Sequence, residues 1–594
     1  MYNTKYDLIA TKIFSKDYPN TILLGEWCKP NETKIDNNTI RYHWKDKKKL
    51  LKDCEYLEQL YEKVLSKLKD FLNKHHKVSY SVRFWRIFLG PWLGYFVQII
   101  FDRYENIQRA INKYDIKKFY DIDFLDKDFT AKSIEDFLYL INTDTWNQKI
   151  YSDIITHINL AESKKIEFKK FKENKENQNE FFFARKFLIK KKMNMRSLIL
   201  RKYEKLFSKV LKNQKYLIID TYLGNKDEIK LNFSLNQMPT FYYDHVIPNI
   251  HKDNEFRKKN ILSIEAKNNF EKFLENILIK HLPITFNEGF EEMEKIIRNI
   301  SWPEKPIAIF TSHALTQKTV PSLYTAFKTE NNCKLIHGQH GGVFGQLKYM
   351  WHEKHEKKIS DIFLNWGWDN SQKSKPIGII KPIDHLSIKK RIARKKVNLL
   401  LVTRTQPLYS NELLDTRFRS GEMKEHIKEC KNFISALNSN IRENNLIIRL
   451  HAKKYGWNEF NKFKSLYSNI KIDSGETKIT NLLLDSRVCV FTYNATGYLE
   501  TLAINIPTII FWNPEENLLR EDAKYYLDIL KKNKIFFDDP KLASEHINSI
   551  WKNVDQWWWN KNTQEAVNVF CKKYSKVNKN KVKEIKEILI GKNE

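Results

Sequence analysis

The sequence predicts an α/β protein of two doubly wound, parallel-sheet domains, with a large helical insertion in the N-terminal part. Three observations lead there. Short apolar runs alternate with helix-patterned segments after residue 302, and the alternation restarts after residue 396. The runs are apolar at successive positions, as strands covered on both faces require. The informative polar clusters each follow one of these runs, at the strand ends where open parallel sheets hold their ligands.

Taken in order, "TILLGEWC" (21–28) reads as a buried strand whose end carries Glu26. From 46 to 76 apolar residues recur at spacings of three and four, the period of an amphipathic helix. The most apolar segment, "IFLGPWLGYFVQIIF" (87–101), contains Gly, Pro and Gln. It falls short of the ~18–20 residues of a spanning helix and reads as core. Residues 105–300 read as mainly helical and very basic. Strand candidates follow at "IAIFTS" (307–312), "CKLIHG" (333–338) and "SDIFLNWG" (360–367), with "TVPSLYTAFKTEN" (319–331) as a helix. A basic, Pro-containing passage resembles a linker, and then "VNLLLVTR", "NLIIRLH", "RVCVFTY" and "PTIIFW" alternate with helical segments. The expected division is an N-terminal domain over 1–375, including the basic helical region of about 105–300; a linker over 376–395; a C-terminal domain over 396–554; and a helical tail over 555–594.

The formal charge is 103 − 72 = +31, which favours anionic partners such as phosphorylated substrates or an acidic membrane surface. Lysine-rich low-complexity runs such as "KENKENQN" (173–180) offer a blander source for much of it. No RRM, zinc finger or other nucleic-acid module is apparent, so nucleic acid is not an expected partner. Six scattered cysteines without a CxxC pair fit a reducing compartment, and no signal peptide is visible at the start. The expectation is a cytoplasmic protein, touching at most the inner face of a membrane. "WHEKHEKK" (351–358) lacks the HExxH zinc pattern and reads as a solvated charged helix, so no metal is expected.

Three strand ends converge on anion chemistry. Arg404 ends one run, Arg449 and His451 end the next, and Asn494, Thr496 and Gly497 follow the third and open a helix. A helix N-terminus after a Gly- and Thr-bearing turn offers backbone N–H donors to an anion, and Arg adds charge-assisted bonds to phosphate. Glu500, one turn in, is placed to accept from ribose hydroxyls. For Thr496 the plainer alternative is an ordinary helix cap, and for each Arg a surface ion pair. From the other domain comes "HGQHGGVFGQ" (337–346), whose Gly338, Gly341, Gly342 and Gly345 permit close approach to a ligand. Gln339 and His340 are expected to face the cleft, with His340 handling a proton.

These stretches, together with "RFWRIFLGPWLGYFVQIIFDRY" (83–104), "RLHAKKYGW" (449–457), "YNATGYLETLAINIPTIIFWNP" (493–514) and "WWWNKNTQEAVNVFCKKY" (557–574), resemble a family of bacterial transferases linked to O-antigen and other surface-carbohydrate loci. The resemblance implies a GT-B-like glycosyltransferase, two facing Rossmann-like domains with the acceptor side N-terminal and the donor nucleotide C-terminal. It implies a nucleotide-activated sugar as donor substrate with no tightly bound cofactor, a glycan or lipid-linked acceptor, and metal-independent catalysis. The donor would lie near Arg449, His451, Asn494, Thr496 and Glu500, faced by Gln339, His340, Gly341 and Gly342, with His340 or Glu26 as the catalytic group. Where transferases using CMP-linked acidic sugars often show His-Pro, this chain has His451-Ala452, which leaves the nucleotide open. The resemblance also implies that the tail crosses back to the N-terminal domain. Transfer of a polyol phosphate, and a non-catalytic binder of anionic glycan or lipid, are the alternatives.

Overall fold

Among the described residues three parallel sheets carry the fold, one more than the sequence suggests. The computed structural model describes residues 5–592 apart from 15–19, 32–37, 124–128, 161, 168–194, 244, 246, 383–395, 412–418, 468 and 515–516. The first sheet holds β1 (Tyr6–Ile9), β2 (Thr21–Leu23), β3 (Ile116–Asp123) and β4 (Glu162–Glu167) in the order β2-β1-β3-β4. The second runs in sequence order through β5 (Tyr216–Ile218), β6 (Ala308–Thr311), β7 (Lys334–Gly338), β8 (Ile362–Asn365) and β9 (Ser374–Pro376). The third holds β10 (Asn398–Val402), β11 (Leu446–Arg449), β12 (Lys471–Asp473), β13 (Ser486–Phe491), β14 (Thr508–Phe511) and β15 (Phe536–Phe537). Its order, β12-β11-β10-β13-β14-β15, is the 3-2-1-4-5-6 of a dinucleotide-binding sheet, with a topological switch point between β10 and β13.

Helices predominate in 105–300, but β3 and β4 of the additional sheet and β5 of the second also lie in that span. In β3 the buried Ile116, Phe119, Tyr120 and Ile122 are interrupted by Lys117 and Lys118, which hides the strand among basic residues. The start of the expected linker is also part of the second sheet: β9 is followed by Ile377, Ile379 and Ile380, all buried. The rest of that stretch, 383–395, lies outside the described residues.

Helix α1 (Lys47–His76) begins where Asp46 Oδ1 accepts from the Lys48 and Lys49 N–H groups, and buries Leu50, Leu57, Leu65 and Leu72. Helices α2 (Val82–Phe88) and α3 (Gly90–Lys113) meet at a 70° bend. Their apolar residues are core, with Trp85, Trp92, Leu93 and Phe96 fully buried. Among the described residues no single helix is long and apolar enough to cross a membrane. The remaining helices used below are α4 (Met195–Lys212), α5 (Trp351–Ile359), α6 (Met423–Ala436), α7 (Thr496–Ala503), α8 (Lys561–Tyr574) and α9 (Lys581–Leu589).

The chain end ties the second and third sheets together. Val567 and Phe570 of α8 and the preceding Trp558 share a core with Phe344, Phe363 and Trp366 of the second sheet and with Leu400 and Phe491 of the third. Past α8 the Lys576 N–H donates to Trp366 O at 3.0 Å, and Ile585 and Ile588 of α9 pack with Ile218 and Phe310.

Candidate active site

A cavity of about 490 Å³ opens at the switch point of the third sheet. Arg404 and Thr405 after β10, His451 and Lys453 after β11, and Tyr493, Ala495, Thr496 and Gly497 between β13 and α7 line it. The register pairs Val402 with both Arg449 and Phe491, so these three strands end level and their following loops reach one crevice. Tyr95 of α3, Leu138, Asn142 and Gln317 close the opposite wall.

Three of the lining groups are suited to an anion. The Arg404 guanidinium lies 5.8 Å from the Tyr493 ring centroid, a cation–π contact that orients it. His451 Nδ1 accepts from the Lys453 N–H at 3.0 Å, which leaves its proton on Nε2. Crowding by the chain, with Lys453, Arg404 and Arg449 nearby, holds this imidazole below its ordinary pKa. Helix α7 starts from an extended Ala495 without a side-chain cap, so its first N–H groups and its positive dipole end border the cavity.

Other expected donor contacts are spent elsewhere. Arg449 does not line the cavity: its Nη1 bonds Asp473 Oδ1, its register partner on β12, and its Nη2 donates to Gly475 O at 3.1 Å. The strand end does give this Arg a structural task. Asn494 is buried beside the Tyr498 hydroxyl, which also reaches Gln346, each oxygen at 3.0 Å. A phenol has one hydrogen to give, so one of the two amides turns its NH₂ toward it. Glu500 pairs with Lys381 at 2.7 Å and lies outside the cavity lining.

The glycine loop meets protein, which corrects the expectation that its glycines make room for a ligand. The Gly342 N–H donates to Thr496 Oγ1 at 2.8 Å, and a Cβ on Gly342 would stand 2.8 Å from the Ala495 carbonyl carbon and the Thr496 nitrogen. Gly338 is closed in by Ser312 and Ile380, and Gly345, at φ +73°, by the Trp368 ring. Gln339 is buried: its Oε1 accepts from Trp366 N–H and Trp368 Nε1–H, and its Nε2 donates to Gly341 O. It shapes the loop from below. The seam continues where the Arg520 N–H donates to Gln346 O and its Nη2 to Glu353.

His340 remains at the surface of this seam, outside the cavity lining, with Nε2 2.8 Å from Glu356 Oε1. Glu356 is fully buried on α5 and also lies 3.5 Å from His337 Nδ1. Burial pushes the Glu356 carboxyl up, but His340 and His337 outweigh it and hold the group below its ordinary pKa. His337, wholly buried, is pushed down to about 4 and stays neutral. The ionised carboxylate thus orients His340, the arrangement of a general base with its positioning group. Glu26 is elsewhere: it sits in a one-turn 3-10 helix against the start of α6, its Oε2 accepting from the Lys424 N–H at 3.2 Å, and does not line the cavity.

The level strand ends of the third sheet touch the loop after β7 of the second, through the bond from Gly342 to Thr496. Residues 8–589 match the LIC12162 family transferase. The chain belongs to that family. It is a transferase, and the family match spans nearly its whole length. No curated relative matches it. Among solved structures, it is similar to the wall teichoic acid polymerase TagF at 11% identity, over 69% of this chain and 97% of that one, with a TM-score of 0.33. It is similar to the UDP-GlcNAc 2-epimerase from Neisseria meningitidis at 13% identity, over 63% and 99%, with a TM-score of 0.37. For MurG from Acinetobacter baumannii the identity is 9%, the coverage 64% and 100%, and the TM-score 0.33.

The transferase also carries polar residues at the seam that the sequence did not single out. Asp220 and Tyr222 follow β5 with φ of +49° and +64°, and Val343 has φ +72°, left-handed values that cost these side chains energy. His313, after β6, stands 3.7 Å from Asp220 Oδ2, and its ring centroid is 5.2 Å from that of His340. Glu356 lies in the stretch read as a solvated helix, yet Trp351, Glu353, His355, Glu356 and Ile359 of α5 are buried. Trp351, His355 and Ile359 recur at four-residue spacing, but the two carboxylates between them give no apolar signal. Among the described residues no group of three or more His, Cys, Asp or Glu stands together as a metal centre.

Proposed function

We propose that this transferase is a glycosyltransferase of surface-polysaccharide synthesis, which moves a sugar from a nucleotide-activated donor to a glycan or lipid-linked acceptor. The observation that carries the reading is the cavity at the switch point, lined by Arg404, His451, Lys453 and the start of α7. Its volume suits a nucleotide, and its cationic rim suits the phosphates. As the bond to the sugar breaks, negative charge grows on the departing phosphate; Arg404 and the N–H groups of α7 stabilise it there without a metal. His340, held by Glu356 of α5, takes the proton of the attacking hydroxyl. On this reading the donor lies on the C-terminal side and the acceptor toward the loops after β5, β6 and β7. Transfer of a polyol phosphate would use the same cationic rim, and the donor that turns over separates the two.

The test is a thermal-shift screen with CMP, UDP, GDP and CDP. One nucleotide at 100 times its dissociation constant adds ~2.7 kcal/mol of stability, read as a rise in Tm. The Arg404→Ala variant is expected to lose most of that rise. A protein that none of the four stabilises would overturn the donor site.

A further inference from the structure

We propose that the outer face of α4 docks on an anionic phospholipid bilayer. This rests on the exposed surface of one helix and stands apart from the donor-site reading. One side of α4 belongs to the fold. Leu211 and Glu204 are buried, Tyr203 packs its ring against Phe207 and Phe241, and its hydroxyl donates to Pro239 O at 2.9 Å. The opposite side is apolar as well, and it faces solvent. Met195 is 72% exposed, Ile199 58%, Leu206 77% and Val210 50%. At 100° per residue these four fall within about 60° of one another, a single row along the helix.

Lysines flank that row on one side. Lys202, Lys205 and Lys209 are exposed, and by the same spacing they form a stripe beside the apolar residues. Arg201 and Lys205 also line a cavity of about 740 Å³ that Lys295 of a neighbouring helix borders. An apolar row beside a basic stripe is the pattern of a helix lying in a membrane interface, its alkyl groups below the headgroups and its lysines at their phosphates. Charge decides the occupant. A second copy of the chain, related by a two-fold axis, would bring the two lysine stripes together, whereas an anionic surface neutralises them. The chain's formal charge of +31 acts in the same direction.

The experiment is co-sedimentation of the full-length protein with vesicles of phosphatidylcholine alone or mixed with phosphatidylglycerol. Two double variants accompany it, Leu206→Glu with Val210→Glu, and Lys202→Glu with Lys209→Glu. All four positions are exposed, so the melting temperature of each variant should match the parent. The parent is expected to sediment with the anionic vesicles only, less so as salt rises. The lysine variant should bind at least about thirtyfold more weakly, the factor that loss of two lysines near an anionic surface alone brings. The leucine–valine variant should lose binding to a similar extent. Three results would overturn the proposal: no binding to anionic vesicles, binding by both variants as tight as the parent's, or a dimer in sedimentation velocity that the leucine–valine variant abolishes.

Discussion

Glu26 and His340 were alike in the sequence, two polar residues at strand ends with a claim to proton transfer, and the structure gives them different work. Burial pushes the Glu26 carboxyl from 4.5 up to about 7, against the pull of Lys45 and the Lys424 N–H. For an acid whose pKa is higher in the folded state, the folded protein binds the extra proton between the two values. Its contribution to stability is full below about 4.5 and is lost as pH rises through about 7. Glu26→Gln should therefore leave stability near the parent's at pH 5 and raise it at pH 8, by on the order of 3 kcal/mol at most. Denaturant melts at the two pH values check this, and a variant equally affected at both would contradict it. For His340 the expectation is kinetic. His340→Ala should lower kcat by about 10²–10⁴ and leave donor affinity unchanged, and Glu356→Gln should lower kcat in the same sense by releasing the ring. Steady-state rates with donor Kd measured in parallel decide it; a loss of donor affinity alone would place His340 in binding. His340 was legible because glycines crowd round it. Glu356 was not, since three lysines and two histidines in its helix mimic a solvated surface. Arg404 and Arg449 looked equivalent until the register put Asp473 beside Arg449.

At the scale of elements, the glycine loop and the start of α7 form a single joint. Both motifs were plain in the sequence, and so was their place after strands. What a linear reading could not supply is that each is the other's nearest neighbour: the glycines admit a backbone from the third sheet. Two glycines one residue apart test this. At Gly342 a methyl group would meet the Ala495–Thr496 backbone at 2.8 Å, whereas at Gly341 its nearest neighbour is Thr496 Oγ1 at 3.5 Å. Gly342→Ala should thus cost ~1–3 kcal/mol and weaken the joint, while Gly341→Ala should be tolerated. Chemical denaturation of the two variants side by side is the measurement, and equal stabilities would contradict the close approach.

For the whole molecule, the parallel α/β class and the third sheet were readable, because uninterrupted apolar strands alternate with helices from β10 to β14. The first sheet was not, because its strands are far apart in sequence and lysines break the pattern of β3. The tail's aromatic helix was legible as a helix, and its partners on the second sheet follow only from the packed core. The central claim concerns where the two sheets present their chemistry: the anion site lies at the β10–β13 switch point and depends on Arg404, while Arg449 braces β11 against β12. Isothermal titration of the nucleotide that stabilises the parent, into the parent, Arg404→Ala and Arg449→Ala, tests it most directly. Loss of a charge-assisted bond predicts an affinity about ten- to a hundredfold lower in Arg404→Ala. Arg449→Ala should bind close to the parent while melting at a lower temperature. Undiminished binding by Arg404→Ala, with affinity lost in a stably folded Arg449→Ala, would contradict the account.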